Sequence, residues 1–282
     1  MKYTTLVDAA TLAAHRTDPA WRVVDCRFEL GAPEAGAAAY ATAHIDGAVY
    51  AHLDHDLAAP RSATSGRHPL PEPATLAATF GRLGIGDGTQ VVAYDDSGGI
   101  YAARLWWLLR WLGHDAVALL DGGLAAWRAA GGALVAQPPK VAPARFTARP
   151  RPRTQVDADE VAALTASGAG TLLDARSAER FEGRVEPLDA RAGHVPGARN
   201  HPYARNLGAD GRFLPPQELR TRLTAALAGS TPDAAVSMCG SGVTACHTLL
   251  ALQIAGLSGA RLYPGSWSEW SRDPARPGAT GP

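Results

Sequence analysis

The run Cys239-Gly240-Ser241-Gly242-Val243-Thr244 stands out in this 282-residue chain for its capacity to do chemistry. A short apolar stretch, AVSM (235–238), ends at Cys239. After the small residues, an apolar, helix-compatible run extends from about Val243 to Ala255. A cysteine at a strand-to-helix junction lies among inward-pointing backbone N–H groups and at the positive end of a helix dipole, which favours thiolate over thiol. Cys239 is therefore the expected nucleophile. The N–H groups of Gly240, Ser241, Gly242, Val243 and Thr244 are the expected cradle for an anion on its sulfur, and glycine at 240 and 242 permits close backbone approach and positive φ. Ser241 adds a hydroxyl that can donate to a substrate or a leaving group.

The elements that must hold such a loop are written twice. The first half contains VVDCRF (23–28), HIDGA (44–48), VVAYDDSGG (91–99) and LLDGGLAAW (119–127). The second half answers with LLDAR (172–176), HVPGA (194–198), AVSMCGSGV (235–243) and LYPGSWSEW (262–270). Asp96 to Trp127 and Cys239 to Trp270 both span 31 residues, so the spacing puts Asp96 at the cysteine position of the first copy. That copy lacks a thiol there and is expected to form one wall of an active-site cleft. Apolar strands alternating with helical stretches predict an α/β fold of two tandem domains, each a mostly parallel sheet flanked by helices, with the site at the carboxyl ends of the strands. The expected divisions are a non-catalytic domain over 1–136, a Pro/Arg-rich linker over 137–155, a catalytic domain over 156–271 and a mobile tail over 272–282.

Composition narrows the function. Basic and acidic residues balance at 27 each, which argues against nucleic acid or a membrane as partner; the basic residues of the linker read as a solvated connector. Three cysteines make no disulfide framework, and no metal-ligand spacing occurs, so neither metal nor cofactor is expected. Asp8 interrupts any signal-like apolar core and no apolar run approaches a membrane span, so the expected location is cytoplasmic. The sixth place after Cys239 is Ala245, where Cys-x5-Arg phosphatases need arginine; phosphoester hydrolysis is excluded.

On the CGSGVT loop, the LLDGG and GSWSEW elements and the two H-x-x-G-A motifs, the chain resembles tandem-domain rhodanese-type sulfurtransferases along almost its whole length. Within that group it is most similar to the 3-mercaptopyruvate sulfurtransferases, whose loop reads CG[ST]GVT against the CRKGVT of thiosulfate-preferring rhodaneses. The resemblance implies that Cys239 takes sulfur from a small-molecule donor, becomes a persulfide, and passes the sulfur to cyanide or a thiol, including a thioredoxin-like protein. It implies that Arg180 holds the donor carboxylate, with Arg184 or Arg191 as second arginine. His44 aligns with a relay histidine acting on Ser241, and the relay's acid is missing unless Glu34 supplies it. The repeated motif equally allows His44 to pin a loop, the reading preferred for His194. Cys26 and Cys246 read as buried, Trp267 and Trp270 as packing, and Asp25 and Asp174 as loop-fixing acceptors. Because Gly240 and Ser241 bring no cation, mercaptopyruvate is expected to be preferred over dianionic thiosulfate. The alternatives are a thiosulfate:cyanide sulfurtransferase and a carrier module that delivers persulfide to a partner protein.

Overall fold

In the computed structural model, which describes residues 2–282, the chain forms two units. The first comprises Met1–Ala59, Leu70–Arg151 and Ala209–Arg212; the second comprises Pro60–Pro69, Pro152–Gly208 and Phe213–Pro282. The contiguous division expected from the sequence is thus corrected: Pro60–Pro69, far upstream, is part of the second unit.

The first unit's strands are β1 (Leu6–Val7), β2 (Trp21–Asp25), β3 (His44–Ile45), β4 (Val49–Tyr50), β5 (Gln90–Tyr94), β6 (Val117–Leu120) and β7 (Leu134–Val135). Five make a parallel sheet in the order β1-β6-β5-β2-β4, while β3 and β7 pair antiparallel. The second unit's strands, β8 (Leu172–Asp174), β9 (Arg199–Asn200), β10 (Val236–Met238) and β11 (Arg261–Leu262), form a parallel sheet in the order β11-β10-β8-β9. Every residue of β5 and β6 is buried, which is why QVVAY and VALL show no polar alternation: helices cover both faces. The same burial explains the helix Ile100–Trp111, apolar nearly all round and ended by Gly113 at φ +86°, and its counterpart Thr244–Ile254. The cores rest on Val92, Tyr94 and Trp127 in one unit and on Met238, Trp267 and Trp270 in the other.

Strand register aligns the two copies independently of sequence spacing. Asp25 pairs with Tyr94 and Asp174 with Met238, so the residues that follow, Asp95 and Cys239, are equivalent. Asp95, not Asp96, therefore holds the cysteine position. The spacing to the tryptophans slipped by one because Ile100–Trp111 has 12 residues and Thr244–Ile254 has 11.

Residues 137–155 carry no helix or strand and are mostly exposed, as a connector would be, and backbone hydrogen bonds fasten both this segment and the tail. The linker is strapped to the first unit through Arg149 N–H to Leu112 O (2.9 Å) and Arg151 N–H to Trp111 O (2.8 Å). The tail is tied down too. Ala279 and His194 exchange backbone bonds (2.8 and 2.9 Å), and the Trp270 indole donates to Pro277 O (2.7 Å). Among the described residues, no helix is long and apolar enough to cross a membrane.

Candidate active site

Both units build the strand ends with the same device. Asp25, closing β2, takes the guanidinium of Arg27 at 2.6 Å, and Arg27 reaches on to Ala43 O (2.7 Å). Asp174, closing β8, takes Arg176 at 2.7 Å, and Arg176 reaches on to Gly193 O (2.8 Å). The next residues are His44 and His194. Each stacks on an aromatic ring and bonds a carbonyl through Nδ1, His44 with Tyr40 (2.7 Å) and His194 with Phe181 (2.8 Å). The four side chains form a repeated brace for the strand ends. Asp25 and Asp174 act as acceptors in it.

Beyond the brace the units diverge. In the first, the Asp95 carboxylate accepts the N–H groups of Ser97, Gly99, Tyr101 and Ala102 at 2.8–3.0 Å. Burial pushes this carboxyl above its usual range, and the four donors pull the other way. In the second, Cys239 starts the equivalent turn, 2% exposed. Its carbonyl accepts from Trp267 N–H (3.0 Å) and that of Gly240 from Ser268 N–H (2.9 Å). Since N–H opposes C=O across a trans peptide, the N–H groups of Gly240 and Ser241 point away from the helix Ser266–Trp270. Gly242, at φ +76°, has no alternative: a Cβ there would lie 2.5 Å from Pro264 O. Val243 is buried and Thr244 opens the helix behind the turn.

Ser266 holds the backbone of Cys239. Its hydroxyl accepts Cys239 N–H (3.1 Å) and donates to Tyr263 O (2.9 Å). It does so at φ +54°, a conformation costing a non-glycine residue roughly 1–2 kcal/mol. The first unit has Gly123 at this place, at φ +55°.

Ser241 Oγ lies 2.8 Å from Nδ1 of a histidine, and that histidine is His68. This corrects the expectation for His44, whose Nδ1 is committed to Tyr40 O. Glu34 also fails as a relay acid for His44, because it lies beside His52 and His55 (3.7 and 3.8 Å). His68 was missed because it sits in SATSGRHPLP, outside the repeat, and nothing in the sequence links that segment to the second copy.

The arginines sort clearly. Arg180 donates through Nη2 to Glu186 (2.7 and 3.0 Å) and Asp189 (3.3 Å), while its Nη1 is 3.3 Å from where a Gly240 Cβ would be. Arg184 is 59% exposed, pairs Glu182 (2.6 Å) and is no part of the site. Arg191 lies 5.6 Å from the Trp267 ring centroid, as Arg176 does at 5.0 Å, and the Trp267 indole donates to Arg191 O (2.8 Å). Arg67, unforeseen from sequence, pairs with Asp189 at 2.8 Å, and its Nη2 is also 3.3 Å from the Gly240 Cβ position. The expectation of a loop without cations is overturned: Gly240 has none of its own, and two guanidiniums flank it.

The other thiols are withdrawn. Burial pushes the Cys26 thiol well up, with Asp25, Asp95 and Asp56 adding to the effect, and Cys246 donates to Gly242 O (3.2 Å). All three cysteines are free.

The Rhodanese-like domain model matches residues 8–130 and 157–273, and the chain belongs to the rhodanese family. It is 51% identical over 278 residues to a probable 3-mercaptopyruvate sulfurtransferase of Pseudomonas aeruginosa, covering 98% of each chain. It is 43% identical over 279 residues to a putative thiosulfate sulfurtransferase of Mycobacterium tuberculosis, covering 96% of this chain and 95% of that one. Among solved structures it resembles an Escherichia coli 3-mercaptopyruvate sulfotransferase with a rhodanese fold. There the TM-score is 0.83 and identity 32%, over 95% of this chain and 100% of the other.

Proposed function

We propose that this chain is a sulfurtransferase that moves sulfur from 3-mercaptopyruvate through a Cys239 persulfide to a thiol or cyanide. The observation that carries the reading is a buried cysteine at the head of a strand-to-helix turn, with the Arg180 guanidinium at the next residue. The Cys239 thiolate attacks the donor's sulfur and forms the S–S bond. The donor's C–S bond breaks, and its electron pair leaves as the enolate of pyruvate, which takes up a proton to give pyruvate. Ser241, hydrogen-bonded to His68, is suited to donate to the developing enolate oxygen. The acceptor then attacks the outer sulfur and releases the thiolate. The N–H groups of the turn stabilise the anionic persulfide between the two halves.

Charge favours this donor over thiosulfate. Among the described residues Arg67, Arg176 and Arg180 pair with Asp174, Glu186 and Asp189, so these charges balance, which suits a singly charged carboxylate better than a dianion. The thiosulfate reading draws on the same guanidiniums and on the name of the Mycobacterium relative. Three free cysteines suit a reducing, cytoplasmic location and an acceptor such as a thioredoxin-like dithiol. The test is kcat/KM for mercaptopyruvate and thiosulfate on one preparation, native and Arg180→Ala. Native enzyme should favour mercaptopyruvate, and the variant should lose about ten- to a hundredfold with it. A native preference for thiosulfate overturns the donor; sulfur found by mass spectrometry on Cys26 or Cys246 overturns the nucleophile.

A further inference from the structure

We propose that Arg67 binds the donor's anionic group directly, forming with Arg180 a two-guanidinium clamp at Gly240. The proposal rests on the sulfurtransferase reading above and assigns the second cation that sequence alone divided between Arg184 and Arg191.

Arg67 Nη2 and Arg180 Nη1 converge on one point, each 3.3 Å from the position a Gly240 Cβ would occupy, one residue from the nucleophile. Both forks are held from behind. Arg67 Nη1 donates to Asp189 Oδ1 (2.8 Å), with Nη2 only weakly engaged by Oδ2 (3.5 Å); Arg180 Nη2 donates to Glu186 and Asp189. Asp189 is shared, and its charge offsets the repulsion of two neighbouring cations. The atoms left turned to the loop are the ones an anion would meet. Arg67 is 8% exposed, and its Nε has no hydrogen-bond partner among the described residues, nor does that of Arg180. A buried guanidinium with unused donors is costly unless something completes it.

The placement of Arg67 is built into the loop itself. Its N–H donates to Ser268 Oγ (2.8 Å), and Ser268 N–H donates to Gly240 O (2.9 Å). Gly66 lies so close to Gly265 that a Cβ would come within 2.5 Å of its carbonyl oxygen, and His68 bonds Ser241. The segment Gly66-Arg67-His68 thus delivers a cation and an imidazole to adjacent residues of the turn. The ligand class is a compact anion, the carboxylate of a 2-oxo acid on the donor reading above. A fork-shaped donor pair matches a carboxylate in two places at once.

The experiment measures KM and kcat with mercaptopyruvate, and product inhibition by pyruvate, for native enzyme, Arg67→Gln, Asp189→Asn and the double variant. Arg67→Gln should raise KM and the pyruvate Ki by about tenfold or more with kcat little changed. Asp189→Asn should lower both, because a competing carboxylate is gone. The double variant, with no unpaired buried charge, should keep a raised KM even if Arg67→Gln folds poorly. If Arg67 served only to hold Asp189, the two single variants would shift KM in the same direction, and that result overturns the clamp. So does a KM and Ki for Arg67→Gln within twofold of native. Should native enzyme use thiosulfate instead, the donor assignment falls, and the same KM comparison with thiosulfate decides the clamp on its own.

Discussion

The turn after β5 and the turn after β10 share their register, their left-handed glycine and the helix behind them, yet they end in opposite states. Four backbone N–H groups of the first close on the carboxylate of Asp95, a residue of the same turn. The second begins with a thiol and has Arg67, Arg180 and His68 gathered at its next two residues. An anion-seeking turn is therefore a property of the strand-turn-helix unit and not of the reaction. Chemistry follows from whether the turn supplies its own anion or waits for one carried on sulfur.

The harshest test of that contrast exchanges the two key side chains' fates. Cys239→Ser should cut sulfur transfer by about a thousandfold or more while leaving the melting temperature near native. Asp95→Ala should do the reverse. Four buried donors lose their acceptor, stability falls by about 3 kcal/mol or more in urea unfolding, and kcat per folded molecule stays the same. A large activity loss in Asp95→Ala would mean the first turn takes part in turnover.

The two glycines sharpen the same point. Gly242→Ala combines positive φ with a clash on Pro264 O, and is expected to cost about 3 kcal/mol and most activity. Gly98→Ala, at φ +75°, should cost about 1–2 kcal/mol with activity retained, as read by denaturant midpoints and initial rates. Comparable activity losses in both would contradict the division of labour. The histidines divide in the same way. His68→Gln should lower kcat by about a hundredfold. His44→Gln should lower stability by about 1–2 kcal/mol and leave kcat alone, since its ring only braces β3 against Tyr40.

Periodic features were legible in the sequence. The repeat, the parallel strands and the Cys239 turn follow from local patterns of apolar residues and glycine, and Arg180 follows from the family motif. Asp95 was displaced to Asp96 because one extra helical residue leaves no mark on a spacing count. Arg67 and His68 were invisible for a different reason. Their segment carries no repeat signal, and its place beside Ser241 and Ser268 depends on contacts more than 170 residues away in sequence. Arg191 could be separated from Arg184 only once Trp267 was seen beside it.

Pro60–Pro69 lies within the first copy of the duplicated sequence but is part of the second unit. A fresh duplication leaves two interchangeable halves, and either can be deleted while the other persists. Here the half with Asp95 at the cysteine position encodes the arginine and the imidazole that lie beside Gly240 and Ser241 in the other half's turn. Deleting it removes more than a redundant copy, and recombination at the linker cannot pass on an intact site. Lending one short segment has turned a spare half into a permanent tenant of the gene, which explains how a copy with Asp95 in its turn escapes being discarded.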